Sequence, residues 1–265
     1  MDLSIIIVSW KVRDLLGKCL QSIYANRDNI DLEVFVVDNN SQDGTMEMVS
    51  RDFPQVTLIA SNVNLGFAKA NNLALEQARG RYLLLLNPDT EVLPKTLTNS
   101  LSFMQAHPDC GLMGPRMTFA DGSPQPSVRR FPSPWPILLM LLKIPKIFPH
   151  LKAIDRYLAK DFDYAKIQSA EQIMGAYMLI RRQALEKIGL LDERFFVWFE
   201  EVDFCRRAWQ AGFKVYYNPA AAIIHHGGKS FSQQQLIANQ WRFFTSAWKY
   251  FIKHGLSRPN VQDSR

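Results

Sequence analysis

The sequence predicts an α/β protein with a mostly parallel central sheet flanked by helices. Two observations carry that expectation. Strand-like and helix-like segments alternate through the first half of the chain. The run Leu83–Glu91, LLLLNPDTE, places four leucines before an abrupt turn. An unbroken apolar run fits a strand buried on both faces.

The elements follow in order. Residues 3–8 are apolar and β-rich, a first strand. Residues 15–24 predict a helix, with Leu16, Cys19, Leu20 and Ile23 on one face. Residues 34–37 form the next strand, ending at Asp38. Asp43, Gly44 and Thr45 predict a turn that caps a short helix through Val49. A strand at 56–60, a helix at 67–78 stopped by Gly80, and a strand at 82–86 complete the alternation. A helix over 93–106 then leads to a strand near 111–117.

The pattern changes after Asp121. Residues 122–149 contain seven prolines, so they cannot be one long helix. The same segment holds Trp135, the run 137–142, Lys143 and Lys146, and predicts an excursion lying on the surface. Regular structure resumes with a strand at 173–180, a helix at 183–188 and a helix at 202–211. Strands at 215–217 and 221–224 and a long helix at 233–254 follow. The organisation expected is a catalytic-type domain over 1–230, with 122–170 as its insertion, and an amphipathic helix and tail over 231–265.

Composition narrows the class. The chain has 265 residues, 47% hydrophobic, with a net charge of +6, which favours anionic partners without choosing among them. Three scattered cysteines give neither a disulfide framework nor a CxxC pair, the pattern of a reducing cytoplasm. No basic leader precedes the first strand, and no apolar stretch approaches the ~18 residues that span a bilayer. A cytoplasmic location, with membrane attachment at most on the cytoplasmic face, is expected.

Five segments carry chemistry. Asp38 ends a strand and opens DNNSQDGT, where Asn40 and its neighbours could meet a nucleoside; an Asx-rich βα loop reads the same way. Gly66 and Asn71, at the start of the 67–78 helix, could place backbone N–H groups near an anion. Asp89 sits just beyond a buried strand, where open α/β sheets hold ligands; ordinary turn chemistry competes as an explanation. Glu200, Glu201 and Asp203 stand among five aromatics at a helix start, a setting that tunes a general base or merely caps a helix. His225 and His226, at a strand end, could supply a metal ligand beside a carboxylate. No GxGxxG or Walker A loop is present.

Taken in order, IIIVSW, VVDNNSQDGT, NxNxGFAxANN at 62–72, LLLLNPDT, MGAYMLIRR, GLLDERFFVWFEEVDFCRRAWQAGF and HHGGKS resemble the family 2 inverting glycosyltransferases of GT-A fold, in the rhamnosyltransferase-like branch that builds bacterial surface polysaccharides. The resemblance covers about residues 3–230. It implies a GT-A (Rossmann-like) sheet, a C-terminal helical extension, and single-displacement transfer of a hexose such as rhamnose. The implied donor is a dTDP- or UDP-sugar and the implied acceptor a glycan or polyprenyl-linked glycan. Asp38 would recognise the nucleoside; Ser9, Asn40, Asn64, Gly66, Asn71, Asn87 and Asp89 would line the donor site. Asp89 and His225 would hold Mg²⁺ or Mn²⁺, with His226 the alternative ligand. Glu201 would be the base, Asp203 the second candidate and Glu200 the third.

Two departures stand out. Asn87 replaces the first aspartate of the DxD motif, and Glu201 stands where the family commonly has Asp. Residues two apart on a helix point about 200° from each other, so Glu201 and Asp203 cannot both face one acceptor. Two other readings are a non-catalytic carbohydrate- or nucleotide-binding module and a sugar-nucleotide pyrophosphorylase. The latter would need a glycine-rich loop where this chain reads Ser9-Trp10-Lys11-Val12-Arg13. Nucleic acid is not an expected partner, because the basic residues are dispersed; a homodimer is compatible with the aromatic terminal helix.

Overall fold

A computed structural model describes residues 1–144, 147–148, 150–227 and 236–257. Its strands are β1 (Leu3–Ser9), β2 (Leu32–Asp38), β3 (Thr57–Ala60), β4 (Tyr82–Leu86), β5 (Thr90–Val92), β6 (Cys110–Thr118), β7 (Pro124–Gln125), β8 (Val128–Arg129), β9 (Gln168–Ser169), β10 (Gln172–Ile173), β11 (Tyr177–Arg181) and β12 (Lys214–His225). The helices are α1 (Arg13–Ala25), α2 (Thr45–Asp52), α3 (Phe67–Leu75), α4 (Thr96–Ala106), α5 (Pro134–Leu141), α6 (Lys152–Tyr157), α7 (Arg182–Ile188), α8 (Glu200–Gln210) and α9 (Leu236–His254).

The main sheet runs β3-β2-β1-β4-β11-β6-β12-β5. β3, β2, β1 and β4 are mutually parallel, and β6 is parallel to β12. β11 is antiparallel to both its neighbours, β4 and β6, and β5 is antiparallel to β12. The carboxyl ends of β1, β2, β4 and β12 therefore emerge at one edge of the sheet. Strand alternation sends Ile5 and Ile7 of β1 toward α1 and α4, and Ile6 toward α3, α8 and α9. All five residues of β4 are buried, as the leucine run requires.

Three expectations change. Residues 173–180 are not one strand: β10 pairs with β8 in a separate two-stranded sheet, and the chain bends through 174–176 before β11. The segments at 215–217 and 221–224 are one strand, β12. Its register shifts between Asn218 and Ala222, a bulge that accommodates Pro219, which has no N–H to give a ladder. The helix over 93–106 starts only at Thr96, because Thr90–Val92 is an edge strand too short to announce itself by period. The proline-rich excursion folds as β7, β8 and α5, with Pro134 in the first helical turn, where a missing N–H costs nothing. Lys146, Gly228–Ser230 of the HHGGKS segment, residues 233–235 of the expected long helix and the tail beyond Ser257 lie outside the described residues.

Candidate active site

The loop leaving β4 builds one wall of a cavity at the carboxyl edge of the sheet. Asn87 N–H donates to the Ala176 carbonyl at 2.9 Å, and Thr90 Oγ1 donates back to the Asn87 carbonyl at 2.7 Å. Asp89 is held at 3% exposure inside that turn, its carbonyl accepting the His226 N–H at 2.9 Å. His225 ends β12 beside it, with Nε2 3.4 Å from Asp89 Oδ1. The other ring nitrogen, Nδ1, lies 3.0 Å from the side-chain oxygen of Gln125. An amide oxygen only accepts, so Nδ1 is the donor in that bond, and a neutral ring so held would turn the lone pair of its buried Nε2 toward Asp89. A lone pair and a carboxylate oxygen thus converge, an arrangement suited to a cation. The chemistry of the pair fits a divalent ion completed by diphosphate oxygens and water. Among the described residues no group of three or more His, Cys, Asp and Glu side chains is arranged to hold a metal. His226 is engaged elsewhere, with Nε2 2.7 Å from Glu91 Oε1.

A second wall comes from residues 64–67. The Asn39 amide donates to Asn64 Oδ1 at 3.0 Å and to the Gly66 carbonyl at 3.2 Å, while its oxygen accepts the Leu65 N–H at 2.7 Å. Gly66 has φ +80°, and a Cβ there would sit 2.3 Å from the Phe196 carbonyl. Only glycine allows that approach. The Phe67 N–H then donates to the same carbonyl at 2.7 Å, which ties this loop to the aromatic segment preceding α8.

That segment turns sharply. Trp198 and Phe199 both occupy the left-handed region, at φ 64° and 69°. Such consecutive strain in non-glycine residues persists only where the surroundings impose it, commonly at functional sites. The turn delivers Glu200 and Glu201 to the cavity at the first turn of α8, beside Trp198, Arg129 and Phe243. The cavity measures about 350 Å³ and also exposes Asn64, Gly66, Asn87, Asp89 and His225. Oε2 of Glu200 and of Glu201 are both buried without a hydrogen-bond partner. Burial pushes both carboxyls above their ordinary range, and mutual repulsion adds to it for Glu200. Backbone N–H groups and the Arg129 charge offset part of the rise at Glu201.

Asp203 faces the other way and does not line the cavity. It is fully buried, with Oδ2 2.8 Å from Arg207 Nε and Oδ1 2.6 Å from both Lys253 Nζ and His254 Nε2. Burial alone would raise its carboxyl; the bond to His254 and the charges of Arg207 and Lys253 outweigh burial and hold it below the ordinary value. This aspartate clamps α9 to α8 and lies outside the cavity wall.

Other expected donor residues are also absent from the cavity wall. Ser9 and Asp38 follow Ile7 and Val36 by two residues and so point to the α1 side of the sheet. They lie in register with each other. Ser9 Oγ and Asp38 Oδ1 are buried without partners, while Asp38 Oδ2 accepts the Ser41 N–H at 3.2 Å. Asn40 accepts from Gln42 at the surface. Asn71 donates to the Phe67 carbonyl at 2.8 Å within its own helix, so its amide is spent there. Sequence reasoning missed Gln125, Arg129 and Phe243, which come from the excursion and the terminal helix. No short-range pattern marks them.

The raised glutamates give a stability prediction. Their folded-state carboxyls keep protons that the unfolded chain releases. Their contribution is therefore present below the ordinary carboxylate range and lost as pH rises through the raised values. Glu200→Gln should raise Tm more at about pH 8 than at about pH 5. Equal shifts at both pH values, read by calorimetry, would contradict the assignment.

An aspartate–histidine pair on one wall and two buried glutamates on another thus meet at the carboxyl edge of a parallel sheet, where open α/β sheets hold their ligands. The chain belongs to glycosyl transferase family 2, whose family model matches residues 4–189. It is 28% identical to the N-acetylglucosaminyl-diphospho-decaprenol L-rhamnosyltransferase of Mycobacterium tuberculosis, across 75% of this chain and 68% of that protein. It is 24% identical to the rhamnosyltransferase WbbL of Escherichia coli K12, across 98% of this chain and 95% of that one. Among solved structures, the mannosyltransferase PcManGT of Pyrobaculum calidifontis, with GDP-Man and Mn²⁺, superposes with a TM-score of 0.61 at 20% identity, over 96% of this chain and 75% of that one. The S. aureus TarS 1–349 complex with UDP-GlcNAc gives 0.62 at 18% identity, over 95% and 67%. These likenesses establish the fold, and the family establishes the class: the protein is a glycosyltransferase.

Proposed function

We propose that this chain is an inverting hexosyltransferase. It takes rhamnose or a similar hexose from a dTDP- or UDP-sugar and places it on a hydroxyl of a polyprenyl-linked glycan. The carrying observation is that Glu201 shares one cavity with the Asp89–His225 pair, while Asp203 is sequestered behind it. The names of the mycobacterial and E. coli relatives support the choice of sugar and lipid-linked acceptor.

Glu201 accepts the proton of the acceptor hydroxyl. The acceptor oxygen bonds to the anomeric carbon as the bond from that carbon to the diphosphate breaks, on the opposite face. Inversion follows, because no residue needs to bond the sugar. The raised basicity of Glu201 suits it to proton acceptance near neutral pH. Asp89 and His225 would hold Mg²⁺ or Mn²⁺, in keeping with the Mn²⁺ in the PcManGT structure. When bound, such an ion neutralises charge developing on the leaving diphosphate. Asn64 and Asn87 offer amides to the donor from the cavity wall. Ser9 Oγ and Asp38 Oδ1, in register and without partners at the same sheet edge but on its α1 side, outside the cavity wall, would meet the nucleoside there.

Calorimetry tests the donor side. Screened against dTDP-, UDP- and GDP-sugars, the wild type should bind one donor class more tightly when Mn²⁺ is added. Asp89→Ala and His225→Ala should lose that response. If Asp89→Ala binds the donor as tightly as wild type, with the same Mn²⁺ response, the metal assignment fails.

A further inference from the structure

Helix α9 has two apolar faces. The inner one packs on the catalytic domain: Tyr250 is fully buried, Phe243 reaches the cavity, and Ser246 Oγ donates to the Val197 carbonyl at 2.9 Å. The outer face carries Trp241, Phe244, Trp248 and Ile252, exposed by 65%, 43%, 60% and 66%. Their spacing of three and then four residues sets them in a single stripe. Helix α5, in contact with α9, repeats the arrangement with Trp135, Leu138 and Leu142, exposed by 60%, 45% and 61%. Ile147 and Phe148 continue it at 71% and 59%. All three exposed tryptophans of the chain's six lie on these two helices.

Charge accompanies the apolar stripes. Neither residues 134–152 nor residues 236–254 contain a single Asp or Glu. Lys143, Lys152 and Lys249 are exposed along the same segments. Isolated surface apolars are ordinary, but neighbouring stripes of them mark a docking surface. Aromatic rings and cations without acids suit a headgroup boundary. A second copy of the chain fits poorly. A two-fold contact sets a patch against itself, which would bring lysines together with no acid between them.

We propose that the outer faces of α5 and α9 dock the protein on an anionic lipid surface. The tryptophans would sit at the headgroup level and the lysines would meet the lipid phosphates. This surface stands on its own geometry, independent of the proposed reaction. If that reaction holds, the docked chain presents Phe243, and the cavity it lines, to an acceptor carrying a membrane tail.

Flotation with vesicles of phosphatidylcholine, with and without phosphatidylglycerol, tests it on the full chain. Wild type should float with the anionic vesicles at low salt and far less with the neutral ones. Trp241→Ser combined with Trp248→Ser should reduce binding about tenfold, and so should Trp135→Ser combined with Leu138→Ser, with Tm and nucleotide-sugar binding unchanged. The proposal is overturned if wild type stays at the bottom with anionic vesicles at low salt, or if both double variants float as it does. It is equally overturned if light scattering shows a dimer that the tryptophan substitutions dissociate while vesicle binding is absent. Loss of nucleotide-sugar binding by the wild type would count against the proposed reaction and leave the docking surface untouched.

Discussion

Glu201→Gln is expected to lower transfer by about 10²–10⁴-fold while leaving donor affinity close to wild type. Gln keeps the size of the side chain and removes its capacity to take a proton. The amide can occupy the same space, so loss of packing does not explain a loss of rate. The effect should fall on kcat rather than on donor binding, because the proton moves only in the reaction. Glu200→Gln tests the neighbour. Burial raises Glu200 further than Glu201, so Glu200 keeps its proton where Glu201 titrates, and its replacement should leave the acid limb of the pH–rate profile in place. A Glu201→Gln enzyme that transfers sugar near the wild-type rate would reassign the base to Glu200, its neighbour on the cavity wall.

Asp203→Ala is expected to destabilise the fold by about 3–5 kcal/mol, the cost of leaving buried partners uncompensated. Arg207, Lys253 and His254 all converge on that carboxylate, which is completely buried. Its lowered pKa means that its contribution is present above the ordinary aspartate range and lost as pH falls through the lowered value. Chemical denaturation near neutral pH should show the loss, and the gap from wild type should narrow in acid. Activity should fall only as far as the fraction folded falls. A variant as stable as wild type but unable to transfer would give Asp203 a role in the reaction that its geometry denies.

Much of this site was legible from sequence because its residues sit at predictable ends of strands and helices. The four leucines of β4 fixed where the parallel edge lies, and Asp89 followed from the turn beyond it. The helical geometry of EEVD already separated Glu201 from Asp203, though not which of them faced inward. That choice needed α9, whose Lys253 and His254 lie about fifty residues away and show no local sign of their partner. Position alone makes Ser9 and Asp38 donor candidates; strand alternation sets them on the α1 side of the sheet, outside the cavity wall, which position does not reveal. Gln125 and Arg129 were illegible for another reason. They belong to two-residue strands in a proline-rich segment, where no period reports on which side chain points inward. The strand β12 read as two because its bulge carries Pro219 and small residues that break the alternation.

The central claim is that Glu201 takes the acceptor proton on the face opposite the leaving diphosphate. The anomeric configuration of the first-formed product, followed by proton NMR from the start of the reaction, tests it most directly. The product is expected to be inverted relative to the donor sugar, and its formation to be lost in Glu201→Gln. A product that retains the donor configuration would contradict it, since retention requires a second displacement or a same-face attack that this arrangement does not provide.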